Sequence, residues 1–206
     1  MGSTHRLTRD FVTEEERKKL VAWIDGLQEI ASRPNHHLEH LSKKVKGKSI
    51  IFDISNSAIT NYITKFQSIS AVRHEAVPSV ILSIFDRIAV HLDLPTDHIF
   101  LQAVDMSEGG KIDPHYDASV DGYINYKCNI SVASKDYEIN IDRQKVLIQE
   151  GDLYCFEASL YKHWTEEFSS RRVFLSCGFM LKYEKLGRSV DDPQVRLSRR
   201  IAKYFQ

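Results

Sequence analysis

Apolar residues recur every three or four positions in three stretches of the chain, a spacing typical of amphipathic helices. These stretches are residues 14–31, 77–93 and 192–205. Thr13 and Glu16 frame the start of the first one as a capping box, in which two side chains satisfy backbone N–H groups that lack a partner inside the helix. The pattern therefore predicts two helices in the first half of the chain and a basic amphipathic helix at its end.

Short runs of β-branched and aromatic residues, separated by glycine and polar turn residues, lie between the second and third predicted helices. Seven such runs occur between residues 98 and 184. Two earlier runs, residues 48–54 and 59–66, have a similar composition and are further candidate strands. Seven closely spaced short strands are typical of a sandwich or barrel. We therefore expect one α+β domain over residues 1–206, in which helices brace an all-β core.

The composition shows no strong electrostatic preference for a partner. Lys and Arg number 28, as do Asp and Glu, so the formal net charge is +0, which argues against a nucleic-acid partner. No apolar run reaches the roughly 20 residues that a membrane helix needs, and the N-terminus has no apolar signal core. The three cysteines, Cys128, Cys155 and Cys177, lie in apolar stretches and are expected to be reduced core thiols. We therefore expect a cytoplasmic protein of undetermined oligomeric state.

The segment IDPHYDASVD, residues 112–121, carries His115 and Asp117 two positions apart. In a strand such residues point to one face, which Asp113 would share. An imidazole and a carboxylate suit a divalent transition metal, but two ligands make a poor site. His163, which follows a later strand and a short loop, is the best candidate for a third ligand. Two histidines and one carboxylate on one side of a metal leave positions open, as in the non-haem Fe(II) oxygenases.

Taken together, these motifs resemble the Fe(II)/2-oxoglutarate-dependent dioxygenases, and more narrowly their prolyl-hydroxylase-like branch. HYD at 115–117, EGDLYCF at 150–156, His163 and RRVFLSCGF at 171–179 stand in the order of that family. The predicted helices also fall in the family's order. The resemblance covers most of the chain, with its specific motifs confined to residues 101–180.

The resemblance implies both a fold and a set of cofactors. The implied fold is a double-stranded β-helix, or jelly-roll, core at about residues 98–184. Helices and strands at about residues 8–97 would support it, and a short helix at about 192–205 would close it. The implied cofactors are Fe(II), the cosubstrate 2-oxoglutarate and O2. Carried over onto the matching positions, the iron ligands are His115, Asp117 and His163.

In the family, an Arg or Lys at the start of the strand after the distal histidine binds 2-oxoglutarate, and here Arg171 and Arg172 compete for this role. On a strand, Arg172 shares its face with small and polar residues that include Ser176, whereas the face of Arg171 is apolar and indicates packing. We therefore assign the cosubstrate carboxylate to Arg172, which can bind it bidentately, with Ser176 assisting. Tyr126 and Asn129 are further candidate contacts, but their strand parity differs, so both need not face inward.

The resemblance implies oxidation of an unactivated C–H bond of a small molecule, such as an amino acid or a biosynthetic intermediate, with release of succinate and CO2. Asp117 favours hydroxylation, or the related desaturation or cyclisation, because halogenating relatives lack the carboxylate. The alternatives are a peptidyl hydroxylase and, from another class, a non-catalytic metal-binding β-barrel. Asp113 is either a contact for a substrate cation or a solvated rim residue. The histidine-rich residues 35–41 favour an exposed loop, because the zinc-protease order His-Glu-x-x-His is absent.

Overall fold

The helices of the molecule match the three predicted from the sequence. The computed structural model describes residues 4–26, 47–52, 71–72, 78–94, 98–106, 108–117, 119 and 121–204. Within these ranges the α-helices are α1 (Glu14–Gly26), α2 (Ser79–Leu92) and α3 (Pro193–Tyr204), and a 3₁₀ helix spans Tyr183–Leu186. Residues 27–31 of the first predicted helix, the candidate strand 59–66 and the histidine-rich segment 35–41 lie outside the described residues.

Eleven strands form two sheets within the described ranges. Strands β1 to β11 span His5–Thr8, Gly47–Phe52, Ala71–Val72, His98–Met106, Ile112–His115, Tyr123–Ala133, Tyr137–Ile141, Gln144–Ile148, Leu153–Glu157, His163–Thr165 and Arg172–Lys182. The larger sheet has the order β1-β9-β6-β11-β4-β2-β3, and the smaller has the order β5-β10-β7-β8. Neighbouring strands run antiparallel, except β2 and β3, which are parallel.

The seven strands predicted between residues 98 and 184 are confirmed as β4 to β9 and β11, and the run at 48–54 overlaps β2. Three strands, β1, β3 and β10, were not predicted. β1 pairs with the edge of β9, and β10 has only three residues, too few for a visible alternation. Helices beside mostly antiparallel sheets confirm the α+β class. Among the described helices, none has the length and apolarity needed to cross a bilayer.

The central strand β11 divides its side chains between two hydrophobic cores. Val173, Leu175 and Cys177 pack on one side with apolar residues of α1 and α2. Phe174 packs on the other side, in the core that lies between the two sheets. Almost all of β11 is buried because both of its faces are covered. The three cysteines are free and buried in the helix-side core, as predicted.

The start of α1 is fixed by the predicted capping box. The Thr13 backbone N–H donates to the Glu16 carboxylate at 2.8 Å, and the Glu16 N–H donates to Thr13 Oγ1 at 3.2 Å. Arg87 of α2 donates to the same carboxylate at 2.6 Å and so links the two helices. The buried side chains of Leu20 and Ile24 then hold α1 against the larger sheet.

Substituting Thr13 by Ala removes the acceptor of the Glu16 N–H, so we expect the free energy of unfolding to fall by about 1 kcal/mol. Thr13→Ser keeps the hydroxyl and serves as the matched control. Urea unfolding followed by circular dichroism measures both variants. Equal stability of Thr13→Ala and Thr13→Ser would show that the capping box contributes nothing.

Candidate active site

His115 and His163 meet across two short antiparallel strands. They are direct partners in the ladder between β5 and β10, and their ring centroids lie 4.2 Å apart. The next partners in this ladder are Thr165 and Ile112. The chain advances two residues in β10, from His163 to Thr165, but three residues in β5, from His115 to Ile112, so β5 contains a bulge. Ile112 consequently packs against the inter-sheet core. Such a bulge interrupts the two-residue alternation of side chains on which the sequence-based prediction relied.

Asp117 lies just after β5 and completes a cluster of three metal-ligating side chains. Its N–H donates to the carbonyl of Ala158, at the end of β9, at 3.0 Å. Its Oδ1 lies 3.2 Å from His115 Nε2 and 3.6 Å from His163 Nε2. The ligand atoms of the three residues all lie within 4.8 Å of one another. The structure thus brings together the three residues that the sequence motifs singled out.

Backbone carbonyls orient both imidazoles. His115 Nδ1 lies 2.8 Å from the carbonyl oxygen of Asp113, and His163 Nδ1 lies 3.0 Å from that of Tyr161. A carbonyl oxygen only accepts, so Nδ1 carries the proton and Nε2 of the neutral ring carries a lone pair. Both lone pairs face Oδ1 of Asp117, which is itself an acceptor. Three acceptors that converge without a donor between them are satisfied by a cation.

Burial and neighbouring charge keep the ligand atoms of His163 and Asp117 unprotonated. Burial of the His163 ring lowers its pKa below the usual value, although the Asp117 carboxylate acts in the opposite direction. Burial of the Asp117 carboxyl would raise its pKa, but the Lys127 ammonium acts in the opposite direction, and the pKa lies well below the usual value. A metal requires neutral imidazole and ionised carboxylate, so both shifts suit metal binding.

Arg172 points into the space between the sheets and is 1% exposed. The carbon of its guanidinium lies 4.0 Å, 4.4 Å and 4.7 Å from the ring centroids of Tyr137, Phe174 and Phe168. Its Nη2 donates to the hydroxyls of Tyr137 at 3.2 Å and Tyr154 at 3.1 Å. Nε and Nη1 are buried and have no hydrogen-bond partner in the part of the chain that the structure describes. A buried cation without a counter-charge is costly, so this group is suited to an anionic ligand.

Arg171 occupies a different environment from its neighbour. It precedes β11, is exposed, and donates to the carboxylate of Asp105 at 2.9 Å and 2.7 Å. It also pairs with Asp25 of α1. The expectation that Arg171 packs among apolar residues is therefore wrong, because the side chain turns to the surface before the strand begins.

The remaining candidate cosubstrate contacts divide between the two faces of the larger sheet. Asn129 of β6 is the direct partner of Ser176 of β11. Both residues are buried, and Asn129 Oδ1 and Ser176 Oγ lack a hydrogen-bond partner within the described residues. Tyr126 lies in the helix-side core with the cysteines, where burial raises the pKa of its hydroxyl. Tyr126 is therefore not brought to the site, because it faces the helices rather than the smaller sheet.

Sequence reasoning missed several residues of this site. Tyr137 and Tyr154 contact Arg172, but buried aromatic residues in strands usually indicate ordinary packing. Lys127 forms an ion pair with Asp117 across the inter-sheet space. The sequence did indicate that Lys127 has a partner. It lies beside Cys128 in the middle of an apolar strand, and a lysine in such a strand is rarely buried unless another element supplies a counter-charge. Asp113, whose role was left open, pairs with Lys111 at 3.1 Å.

Comparison with known proteins finds similar folds among solved structures. No protein-family model matches the sequence, and no curated protein matches it. A viral collagen prolyl hydroxylase from Paramecium bursaria Chlorella virus-1, solved as a 2OG complex, aligns with a TM-score of 0.56 and 12% identity over 86% of this chain and 96% of that chain. A Pseudomonas putida prolyl-4-hydroxylase aligns with a TM-score of 0.50 and 12% identity over 86% and 92% of the two chains. The chain therefore has the fold of these prolyl hydroxylases.

Proposed function

We propose that the protein is an Fe(II)- and 2-oxoglutarate-dependent oxygenase, with the metal held by His115, Asp117 and His163. One observation carries this proposal: among the described residues, the space between the sheets presents converging metal-ligand atoms at one end and a buried guanidinium with unpartnered N–H groups at the other. At the first end three acceptors converge, and at the second end Arg172 presents unpartnered N–H groups. When bound, Fe(II), 2-oxoglutarate and O2 supply the oxidation of an unactivated C–H bond, with release of succinate and CO2.

The two ends are connected through a series of buried rings. Phe156 packs edge-on against His163 at 4.8 Å, and Tyr154 stacks parallel to Phe156 at 6.4 Å. The Tyr154 hydroxyl then accepts a hydrogen bond from Arg172. A dicarboxylate held at both ends would lie along this apolar wall, where exclusion of water strengthens each ionic contact.

In this proposal Arg172 binds the far carboxylate of 2-oxoglutarate with the N–H groups that have no partner among the described residues, and a planar, permanently charged guanidinium suits this role. The aromatic rings around the guanidinium keep it aimed at the ligand. Ser176 and Asn129 present buried polar atoms on the same sheet face and are the additional candidate contacts. The acidic third ligand, Asp117, favours hydroxylation over halogenation, with desaturation or cyclisation as related outcomes.

The proposal includes the jelly-roll core and a single domain over residues 1–206. Its support is the way successive strands alternate between the sheets, with the exception of the β7–β8 hairpin, which stays in the smaller sheet. Strands β4, β6, β9 and β11 belong to the larger sheet, whereas β5, β7, β8 and β10 belong to the smaller one. Such regular crossing between two facing sheets is what a double-stranded β-helix requires.

The proposed substrate is a small molecule, such as an amino acid or a biosynthetic intermediate, because the chain is compact and carries no net charge. A peptidyl prolyl group is the second candidate, and the fold shared with two prolyl hydroxylases favours it. A non-catalytic metal-binding module is the alternative from another class. It predicts metal binding without formation of succinate.

We expect the protein to bind one Co(II) ion, used as a spectroscopic stand-in for Fe(II), at the three-residue cluster. Substituting His115, Asp117 or His163 by Ala removes one of only three protein ligands, so visible Co(II) absorption should be lost and affinity should fall at least about 100-fold. His91→Ala is the matched control because this exposed histidine of α2 contacts Thr8 and lies outside the cluster. Unchanged Co(II) absorption in all three cluster variants would contradict the ligand assignment.

Arg172→Ala should weaken 2-oxoglutarate binding about 100-fold, because a buried, charge-assisted ion pair would be lost. The measurement is an anaerobic titration of the Fe(II)-loaded protein, followed by its weak visible charge-transfer band. Arg171→Ala should leave the titration unchanged, since Arg171 pairs with Asp105 and Asp25 at the surface. Weaker binding in Arg171→Ala and normal binding in Arg172→Ala would reverse the assignment.

Substrate class is tested by incubating the protein with Fe(II), O2 and 2-oxoglutarate beside either a metabolite pool or proline-containing peptides. We expect substrate-stimulated succinate and a product heavier by one oxygen atom, or lighter by two hydrogen atoms for desaturation or ring closure. The Arg172→Ala variant is the negative control. A protein that binds metal and 2-oxoglutarate, yet forms no succinate with either substrate class, would support the binding-module alternative.

A further inference from the structure

Lys127 gives the two oxygens of Asp117 different neighbours. Asp117 Oδ1 faces the imidazole nitrogens of His115 and His163. Asp117 Oδ2 is in contact with the ammonium of Lys127, which extends from β6 of the larger sheet. The carboxylate thus has two imidazole nitrogens on one side and a cation on the other.

The location of Lys127 shows that this contact is built into the fold. Its neighbour Cys128 packs in the helix-side core, whereas Lys127 points into the space between the sheets. Its partner on β11 is Gly178, which has no side chain to compete for that space. The side chains of Lys127 and Asp117 are only 15% and 13% exposed. Removing a lysine from water is costly unless it is paired, and Asp117 supplies the pairing.

The contact between Lys127 and Asp117 Oδ2 affects how many oxygens Asp117 can offer to a metal. A carboxylate binds a metal through one oxygen or through both. Two imidazoles and one oxygen leave an octahedral metal enough positions for a chelating 2-oxo acid and for O2. A second oxygen from Asp117 would occupy the position that O2 requires.

We propose that Lys127 is a positioning residue that keeps Asp117 a one-oxygen ligand by holding Oδ2 away from the metal. This inference rests on the proposed function, because it assigns Lys127 a role toward the metal at that site. Lys127 also places a positive charge beside a bound dication, so it weakens binding of the bare metal while preserving the open positions. Lys127 itself ligates nothing.

The test compares Lys127→Met with the wild-type chain, using Co(II) alone as the probe. Methionine retains a long flexible side chain but removes the charge and leaves Oδ2 free. We expect Co(II) to bind about tenfold tighter, because a repelling charge is lost and a second oxygen becomes available. The visible Co(II) spectrum should change with the coordination number, and the metal-free variant should unfold at a lower temperature than wild type.

Two further variants control the experiment. Lys145→Met removes an exposed lysine of β8 that pairs with Glu138 at 3.0 Å, and it should match wild type in affinity and spectrum. Lys127→Arg keeps a cation with N–H donors near Oδ2, so it should preserve the wild-type Co(II) spectrum. This variant provides a second test if Lys127→Met does not fold, since a changed spectrum in folded Lys127→Arg would overturn the role in coordination.

The possible results separate this inference from the function on which it rests. Wild-type protein that fails to bind Co(II) at the cluster would contradict the proposed oxygenase site itself. Wild-type protein that binds Co(II), with Lys127→Met identical to it or weaker in affinity and unchanged in spectrum, would overturn the role of Lys127 alone. Tighter binding with an altered spectrum in Lys127→Met, and neither effect in Lys145→Met, is the result we expect.

Discussion

The convergence of three hydrogen-bond acceptors at one point is the constraint on which the site depends. Imidazole nitrogens of His115 and His163 face a carboxylate oxygen of Asp117 with no donor between them. Such an arrangement persists only where the fold imposes it. Pairing of β5 with β10 places the two histidines together, and backbone carbonyls orient their rings. A hydrogen bond from the Asp117 N–H to the Ala158 carbonyl fixes the backbone that carries the carboxylate. The fold therefore preorganises these three side chains for binding a cation.

At the other end of the inter-sheet space, the fold holds a positive charge, that of Arg172, in a position suited to an anion. Arg172 is surrounded by aromatic rings and tyrosine hydroxyls, which hold a guanidinium in place but do not neutralise it. Lys127 at the near end does have a counter-charge, namely Asp117. Of these two buried cations, one is therefore matched internally and the other is suited to an external anion. In our proposal this difference separates Lys127, which positions a metal ligand, from Arg172, which binds the cosubstrate.

Much of the fold could be predicted from the sequence, because helix starts and strands depend on residues that are close together in the chain. Strands followed from β-branched composition, the start of α1 followed from Thr13 and Glu16, and the inward face of Arg172 followed from the two-residue period. The bulge beside His115 could not be predicted, since it depends on the register between two strands about 50 residues apart in sequence. The pairing of Lys127 with Asp117 was missed for the same reason. Lys127 lies in the larger sheet and Asp117 follows a strand of the smaller sheet, so no local pattern relates them.

The central claim is that one metal ion and one 2-oxo acid together satisfy both ends of the inter-sheet space. Anomalous diffraction at the iron absorption edge, from crystals grown without oxygen with Fe(II) and 2-oxoglutarate, tests it most directly. We predict a single anomalous peak bonded to His115 Nε2, Asp117 Oδ1 and His163 Nε2, with the far carboxylate of 2-oxoglutarate on Arg172. The absence of a peak at this cluster under saturating Fe(II), or 2-oxoglutarate bound away from Arg172, would contradict the account.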